Sequence, residues 1–272
     1  MHLSQRSRAP AVLAIAAALL SSTVVVGAIQ WTQFESAARG YPVMLDASTG
    51  RRIGNGTFAQ WIEKGRLHVA ITYAGAGRRI EERVVLTQRP ELVQDSWSFA
   101  EWRDQKPVRR FDVDFRSGHA VAQVWTEHGP ERQQDTLKLT PGRTFAGFAF
   151  TLAVKAVRAR LIQGQRVTLQ AVGFAPKPRA VDVEISYAGR DRVHMAGRTI
   201  DGDRFIVHAK IPALAKLFVH VPDARIWLTA PPAGFLRWEG PLAEPSDPIV
   251  RVDLLPGGSS GPATPLGTSG RR

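Results

Sequence analysis

One apolar stretch, residues 145–162 (FAGFAFTLAVKAVRARLI), limits the fold of this chain more than any other segment. Its apolar residues recur at helical spacing on nearly every side, so a helix here has almost no face suited to water. The rest of the sequence between Tyr41 and Leu255 consists mainly of short alternating stretches typical of strands. We therefore predict a mainly β fold, in which a curved antiparallel sheet forms an open half-barrel around one long buried helix.

Both ends of the predicted helix carry recognisable signals. Turn and cap residues precede it at positions 140–144, and Gly164 follows its last residue. Lys155, Arg158 and Arg160 lie in the last two turns, where a cation contributes roughly 0.3–1 kcal/mol by complementing the helix dipole. The other interpretation of these three cations is that they line the rim of a cavity and bind an anionic headgroup.

The N-terminal residues predict export. Arg6 and Arg8 precede an uncharged apolar stretch, and the next charged residue is Glu35. A signal peptide would have its apolar centre at residues 11–20, followed by small residues suited to cleavage. Residues 9–29 are equally suited to an uncleaved apolar helix that anchors the chain in the inner membrane. Under both interpretations we expect a periplasmic protein, either released or anchored.

These signals divide the chain into four predicted segments. Gly, Ser, Pro and Thr dominate the C-terminal end, a composition typical of disorder. The predicted segments are a signal peptide or signal anchor at residues 1–29, a spacer at 30–40, the half-barrel domain at 41–255 and a disordered tail at 256–272.

Composition excludes several classes of function. The chain contains no cysteine, which rules out disulfides, thiolate zinc sites and a cysteine nucleophile. Its formal net charge is +12, but the cations are spread along the strands without interleaved aromatic residues, so we expect no nucleic-acid partner. An arginine-rich composition explains the charge, and an anionic membrane surface is the functional alternative.

Candidate chemical motifs are weak. The Asp112 and Asp114 pair alternates with arginines, a pattern typical of a solvated strand face. Asp201-Gly202 predicts a hairpin turn, across which His194 and His208 would face each other. Two histidines are too few for a structural metal site. We therefore expect no metal, no cofactor and no catalytic residue.

Two predicted strands share a sequence. Val69-x-Ile-Thr-Tyr-Ala-Gly in the first half matches Val183-x-Ile-Ser-Tyr-Ala-Gly in the second. An internal duplication would place these strands equivalently on either side of the helix. Alternating strands that end in glycine also recur by chance, so both explanations stay open.

The order of the helix and several short motifs resembles the bacterial envelope proteins grouped as domain of unknown function 3108, over roughly residues 41–255. The motifs are Leu161-Ile162-x-Gly164-Gln165, Ile211-Pro212-Ala-Leu214-Ala-Lys-Leu217-Phe218, Ile226-Trp227-Leu228-Thr229 and Leu236-Arg237-Trp238-Glu239-Gly240. The resemblance implies an open half-barrel like that of the lipoprotein-localisation carriers, and export or anchoring in the envelope. It implies no catalytic residue.

The leading hypothesis is a non-enzymatic envelope protein that binds a hydrophobic or amphipathic, lipid-like ligand in the concave face of the half-barrel. If helix and sheet separate on one side, the inward positions form the binding site; if they pack tightly, the same residues are core. The candidate ligand-binding residues are Val69, Ile71, Tyr73, Phe148, Phe150, Leu152, Val183, Ile185, Tyr187, Phe205, Val207 and Arg158. One alternative is a structural or assembly factor that acts on partner proteins, whose identity the sequence does not indicate, and another is a hydrolase with an Asp/His pair.

Overall fold

The computed structural model describes residues 23–25, 28–29, 34–175, 177–211, 221–231 and 234–256. Within these residues the chain forms sixteen strands and one helix, so the fold is mainly β, as predicted. The elements are β1 Thr23–Val25, β2 Ala38–Asp46, β3 Arg52–Glu63, β4 Arg66–Gly75, β5 Arg78–Thr87, β6 Val93–Arg103, β7 Lys106–Asp114, β8 His119–Thr126, β9 Gly129–Thr136, β10 Thr144–Phe145, α1 Phe148–Ile162, β11 Arg166–Ala175, β12 Lys177–Met195, β13 Arg198–Ala209, β14 Ala224–Leu228, β15 Phe235–Pro241 and β16 Ile249–Pro256.

The strands form one open, curved sheet. Its order is β1-β11-β12-β13-β14-β15-β16-β2-β3-β4-β5-β6-β7-β8-β9, with β10 paired to β11 beside this path. Pairing is antiparallel except where β1 and β10 run parallel to β11. Because β16 pairs with β2, the two halves of the chain join into one sheet. The last strands, β8 and β9, contact β12 near the other end, so the sheet curls almost around on itself.

Helix α1 lies inside this curl. It begins at Phe148 instead of the predicted position 145, because Gly147 has a φ of 56° that is incompatible with a right-handed helix. The preceding Thr144–Phe145 forms β10. The helix ends at Ile162, as predicted, and its neighbours cover most of its surface. Its buried residues are Ala149, Thr151, Leu152, Ala153, Val154, Val157 and Leu161.

A stack of aromatic rings connects the two ends of the sheet. Phe111 on β7 lies parallel to Phe174 on β11, with the ring centroids 4.2 Å apart and the planes 8° apart. Trp97 on β6 packs against both rings. Since Phe111 and Phe174 are almost completely buried, this stack holds the curled sheet together where backbone pairing stops.

One predicted turn is wrong. Asp201 and Gly202 lie within β13, and the hairpin turn falls instead at Ala196 and Gly197, whose φ angles are 46° and 71°. Two consecutive positive φ angles produce the tight turn whose twist matches the flanking strands. The shift pairs His194 with Thr199, so His194 and His208 do not face each other.

Two predictions fall outside the described residues: the N-terminal apolar helix, of whose segment only β1 and residues 28–29 are described, and the disordered tail beyond Pro256. No helix in the described part of the chain is both long and apolar enough to cross a membrane.

Candidate functional site

A partly open cavity of about 280 Å³ separates the N-terminal end of α1 from the sheet. Phe148, Phe150 and Thr151 of the helix form one side of it. The sheet contributes a predominantly apolar wall from both halves of the chain. Its wall residues include Met44, Phe58, Ile71, Tyr73, Ile80, Glu82, Trp97, Phe99, Ala171, Val172, Val207, Ile226, Phe235, Trp238 and Val252.

The carboxyl group of Glu82 is the most polar feature of this lining. Glu82 lies on β5, and its Oε1 accepts hydrogen bonds from the backbone N–H of Phe148 at 2.7 Å and from Trp97 Nε1 at 3.0 Å. The first bond satisfies an N–H that the first turn of α1 leaves without an intrahelical partner. The carboxyl also lies at the positive end of the helix dipole. A residue 66 positions away therefore caps the helix.

Glu82 has no compensating cation among the described residues. Its Oε2 accepts no hydrogen bond from any described residue, and no described Lys or Arg forms an ion pair with it. Although Glu82 lies deep in the molecule, it keeps some accessible surface, and that surface faces the cavity. Burial raises the pKa of Glu82 above its ordinary value, and the two hydrogen bonds only partly oppose this.

Tyr73 is the other titratable side chain among the described lining residues. Its pKa lies above the ordinary tyrosine value because burial and the nearby charge of Glu82 both disfavour the phenolate. Tyr73 therefore keeps its proton, and it lies near Glu82 in the cavity lining.

Gly147 makes this arrangement of Glu82 and Trp97 sterically feasible. A Cβ at position 147 would lie 1.9 Å from Glu82 Oε1 and 2.2 Å from Trp97 Nε1. The backbone there has φ 56° and ψ −139°, a region that is nearly exclusive to glycine. The absence of a side chain thus lets the carboxyl and the indole approach the start of the helix.

A second buried carboxylate, Asp203 on β13, provides an internal comparison. It is 1% exposed and forms an ion pair with Arg158 of the helix. Arg190 Nε lies 3.2 Å from Asp203 Oδ1, and the Tyr187 hydroxyl donates to the same oxygen at 3.4 Å. Asp203 is therefore neutralised by two arginines, whereas no described residue neutralises Glu82.

Residues 242–248, which connect β15 to β16, form a strap at the cavity. Leu242 and Ala243 belong to the cavity lining. The strap is folded around Asp247, whose Oδ2 accepts hydrogen bonds from the backbone N–H groups of Ala243 at 2.9 Å and Glu244 at 3.0 Å. Its conformation is thus fixed locally by one carboxylate.

Arg109 on β7 attaches the strap to the opposite side of the sheet. Its two terminal nitrogens donate to the two carboxylate oxygens of Asp247 at 3.0 and 2.7 Å. Its Nε donates to the buried Glu101 at 2.8 Å, and Glu101 also accepts from Arg78 at 2.7 Å. Since β2 to β6 separate β16 from β7 in the sheet, the pair of Arg109 and Asp247 links the strap to a strand that is distant in the sheet order.

The structure brings part of the predicted binding set together. Ile71, Tyr73, Phe148, Phe150 and Val207 line the cavity. Five others are buried in the core and do not line it: Val69, Leu152, Val183, Ile185 and Phe205. Tyr187 and Arg158 are the partners of Asp203 described above.

Sequence reasoning missed Glu82, although the sequence contains a signal for it. In β5, Glu82 alternates in phase with Ile80, Val84 and Leu86, all of which are buried. A carboxylate in phase with an apolar strand face must lie on the inner side of the sheet. A carboxylate in such a position needs a specific partner, so it is a residue to examine for function.

The groups considered for catalysis lie elsewhere. His208 Nδ1 is 2.7 Å from Asp223 Oδ1, but both side chains are about half exposed and neither lines the cavity. Asp112 pairs with Arg110 at 2.7 Å on an exposed strand face. Within the described residues no cluster of three or more His, Cys, Asp or Glu side chains could hold a metal ion.

No protein-family model matches the chain, and no curated protein matches it. Among solved structures, the chain is similar to a β-barrel-like protein of the domain of unknown function DUF1849 from Brucella abortus, with 9% sequence identity and a TM-score of 0.48. The match covers 81% of this chain and 96% of that chain. The resemblance to domain of unknown function 3108 stays a prediction.

Proposed function

We propose that this protein binds a hydrophobic or amphipathic ligand in the cavity between α1 and the sheet, and that it does so without catalysis. The observation that supports this is the predominantly apolar, partly open cavity of about 280 Å³ between α1 and the sheet. Protein interiors are normally packed to crystal-like density, so an apolar space of this size calls for an occupant. It lies close to the lower end of the roughly 300–1,000 Å³ typical of small-ligand sites.

The size of the cavity limits the ligand. At about 30 Å³ for a water-sized group, the space holds on the order of ten heavy atoms. A single alkyl chain of about ten carbons fits this volume, whereas two long acyl chains exceed it. The part of the ligand that the cavity encloses is therefore about the size of one such chain.

The proposal also includes a location and a family for this protein. The protein acts in the periplasm, either released or anchored through residues 9–29, and an anionic membrane surface attracts its excess of positive charge. Its relatives are the envelope proteins of domain of unknown function 3108. Both statements rest on the sequence motifs, and a fractionation of cells that express the full chain tests the first.

Organic extraction and mass spectrometry of the gently purified full-length protein test the binding proposal. We expect an amphiphile in stoichiometric amount. Val207→Phe places an aromatic ring in the cavity and should reduce the amount of bound amphiphile. Ile206→Phe changes the neighbouring residue on the opposite face of β13 and should leave that amount unchanged. A wild-type protein that carries no amphiphile and also fails to bind added decanol would contradict the proposal.

A further inference from the structure

Given the proposed function, on which this inference rests, we infer that Glu82 selects ligands whose polar end donates hydrogen bonds, with a primary alkylammonium group bound most tightly. The ligand chain occupies the apolar part of the cavity, and its donor group meets the carboxyl beside the start of α1. This assigns a chemical class to a ligand that the apolar lining alone leaves undefined.

The hydrogen-bond arrangement at Glu82 supports this selectivity. Both protein donors, the Phe148 N–H and the Trp97 indole N–H, bind Oε1. Oε2 has no donor among the described residues, while the accessible surface of Glu82 faces the cavity. A carboxylate accepts several hydrogen bonds, so Oε2 is available to a donor on the ligand.

The comparison with Asp203 indicates what is missing at Glu82. Both are buried carboxylates on inward positions of the sheet, and each has a tyrosine nearby, Tyr187 for Asp203 and Tyr73 for Glu82. Asp203 receives its positive charge from Arg158. Glu82 has no equivalent arginine among the described residues. A buried carboxylate without a cation is costly, and a cationic ligand supplies the missing charge.

The surroundings of Glu82 favour a cation over an anion. Aromatic rings of Tyr73, Trp97 and Phe148 line the same end of the cavity, and aromatic faces attract ammonium groups. An anionic headgroup would instead be placed beside a carboxyl that no described residue neutralises. The three cations of α1 do not change this, because none of them lines the cavity. Lys155 pairs with Glu35, Arg158 pairs with Asp203, and Arg160 donates to Gln165.

Three probes with the same chain and different polar ends test the inference on the full-length protein: decylammonium, decanol and decanoate. Isothermal titration calorimetry at neutral pH measures their dissociation constants. A hydrogen bond to a charged group corresponds to roughly a tenfold to hundredfold gain in affinity, so we expect decylammonium to bind tighter than decanoate by at least this ratio.

Glu82→Gln provides the matched variant, because its amide oxygen can still accept from Phe148 and Trp97 while the negative charge is lost. We expect it to bind decylammonium roughly tenfold to hundredfold more weakly, and to lose much less affinity for decanol, because a hydroxyl can also accept from the new amide. Glu81→Gln is the control, since Glu81 is the adjacent carboxylate and pairs with Arg79 on the other face of β5. It should preserve the wild-type order of affinities.

The outcomes separate the inference from the proposed function. If none of the three probes binds, the cavity is not a ligand site and both fail. If decanol and decanoate bind as tightly as decylammonium, the binding function stands and the selectivity of Glu82 is refuted. Equal decylammonium binding by wild type and Glu82→Gln refutes it as well.

Discussion

Gly147→Ala tests the role of the residue that precedes the buried helix. The new Cβ would lie 1.9 Å from Glu82 Oε1 and 2.2 Å from Trp97 Nε1, and the backbone φ is 56°. Neither atom can yield without breaking a contact, because both belong to the hydrogen-bonded group that caps α1. The substitution should therefore damage the helix start and the polar end of the cavity together.

Two contributions determine how much stability Gly147→Ala loses. Placing a non-glycine residue in this backbone region costs about 1–3 kcal/mol. Displacing Glu82 and Trp97 loses two hydrogen bonds to a carboxylate, at about 1.5 kcal/mol each, the lower end of the range for a charged acceptor. The sum is a loss of about 4–6 kcal/mol in the free energy of unfolding.

Two other glycines serve as controls that separate these terms. Gly164 has a φ of 86° but no atom within 4 Å of an added Cβ, so Gly164→Ala should cost only the backbone term of about 1–2 kcal/mol. At Gly173 the added Cβ also meets nothing within 4 Å, and φ is not positive, so Gly173→Ala should change stability by less than about 1 kcal/mol.

Urea unfolding followed by tryptophan fluorescence measures the three differences from the shift in midpoint at a constant m-value. The expected order of destabilisation is Gly147→Ala, then Gly164→Ala, then Gly173→Ala. If Gly147→Ala loses no more stability than Gly164→Ala, the close packing of Glu82 and Trp97 against the start of α1 is refuted.

Three further predictions concern other parts of the structure. Since burial raises the pKa of Glu82 above 4.5, the folded wild type holds this proton more tightly than the unfolded chain, so its stability falls as pH rises from about 4.5 through the raised pKa. Glu82→Gln should lack this loss, and unfolding midpoints of both proteins at several pH values would show a constant difference if the reasoning is wrong. Phe111→Ala should cost about 3–5 kcal/mol in thermal unfolding because it removes the ring stacked on Phe174; a loss under about 1 kcal/mol would contradict a role of this stack in closing the sheet. Asp247→Ala should cost about 2–4 kcal/mol by removing the bidentate partner of Arg109, and limited proteolysis should then cut within residues 242–248; an uncut strap would show that other contacts hold it.

The strap and Glu82 form two separate parts of the proposed binding site. Arg109 and Asp247 determine whether Leu242 and Ala243 stay against the cavity, and Glu82 determines the chemistry of its polar end. A ligand of the proposed class therefore meets a hydrophobic strap at one place and a carboxyl at another. The proteolysis and calorimetry experiments report on these two parts separately.

The sequence by itself determined the architecture at the level of its elements. Residues 145–162 are apolar on nearly all sides, so they predict a buried helix, and period-two alternation around them predicts a sheet that covers it. The structure confirms a mainly β fold with an open curved sheet and one helix. The sequence predicts these properties because each depends on the spacing of residues within one short segment.

The sequence predicted turn positions less reliably than strands and the helix, for a physical reason. Asp201-Gly202 is a strong local turn signal, yet Ala196 and Gly197 form the turn. Val193 on β12 pairs with Ile200 on β13, and both pack in a hydrophobic cluster with Met195, Trp227 and Leu236. Burial of this cluster sets the register next to the turn and outweighs the preference of one dipeptide.

Only the tertiary structure decided the site. The bond between Phe148 and Glu82 spans 66 positions and the bond between Arg109 and Asp247 spans 138, and no local pattern encodes such a pairing. Likewise, alternation shows that Ile71 and Ile185 both face inward, but whether a residue meets the cavity or packed core depends on where α1 lies against the curved sheet. The pattern of one strand determines its inner face, whereas the space in front of that face is determined by all the elements packed around it.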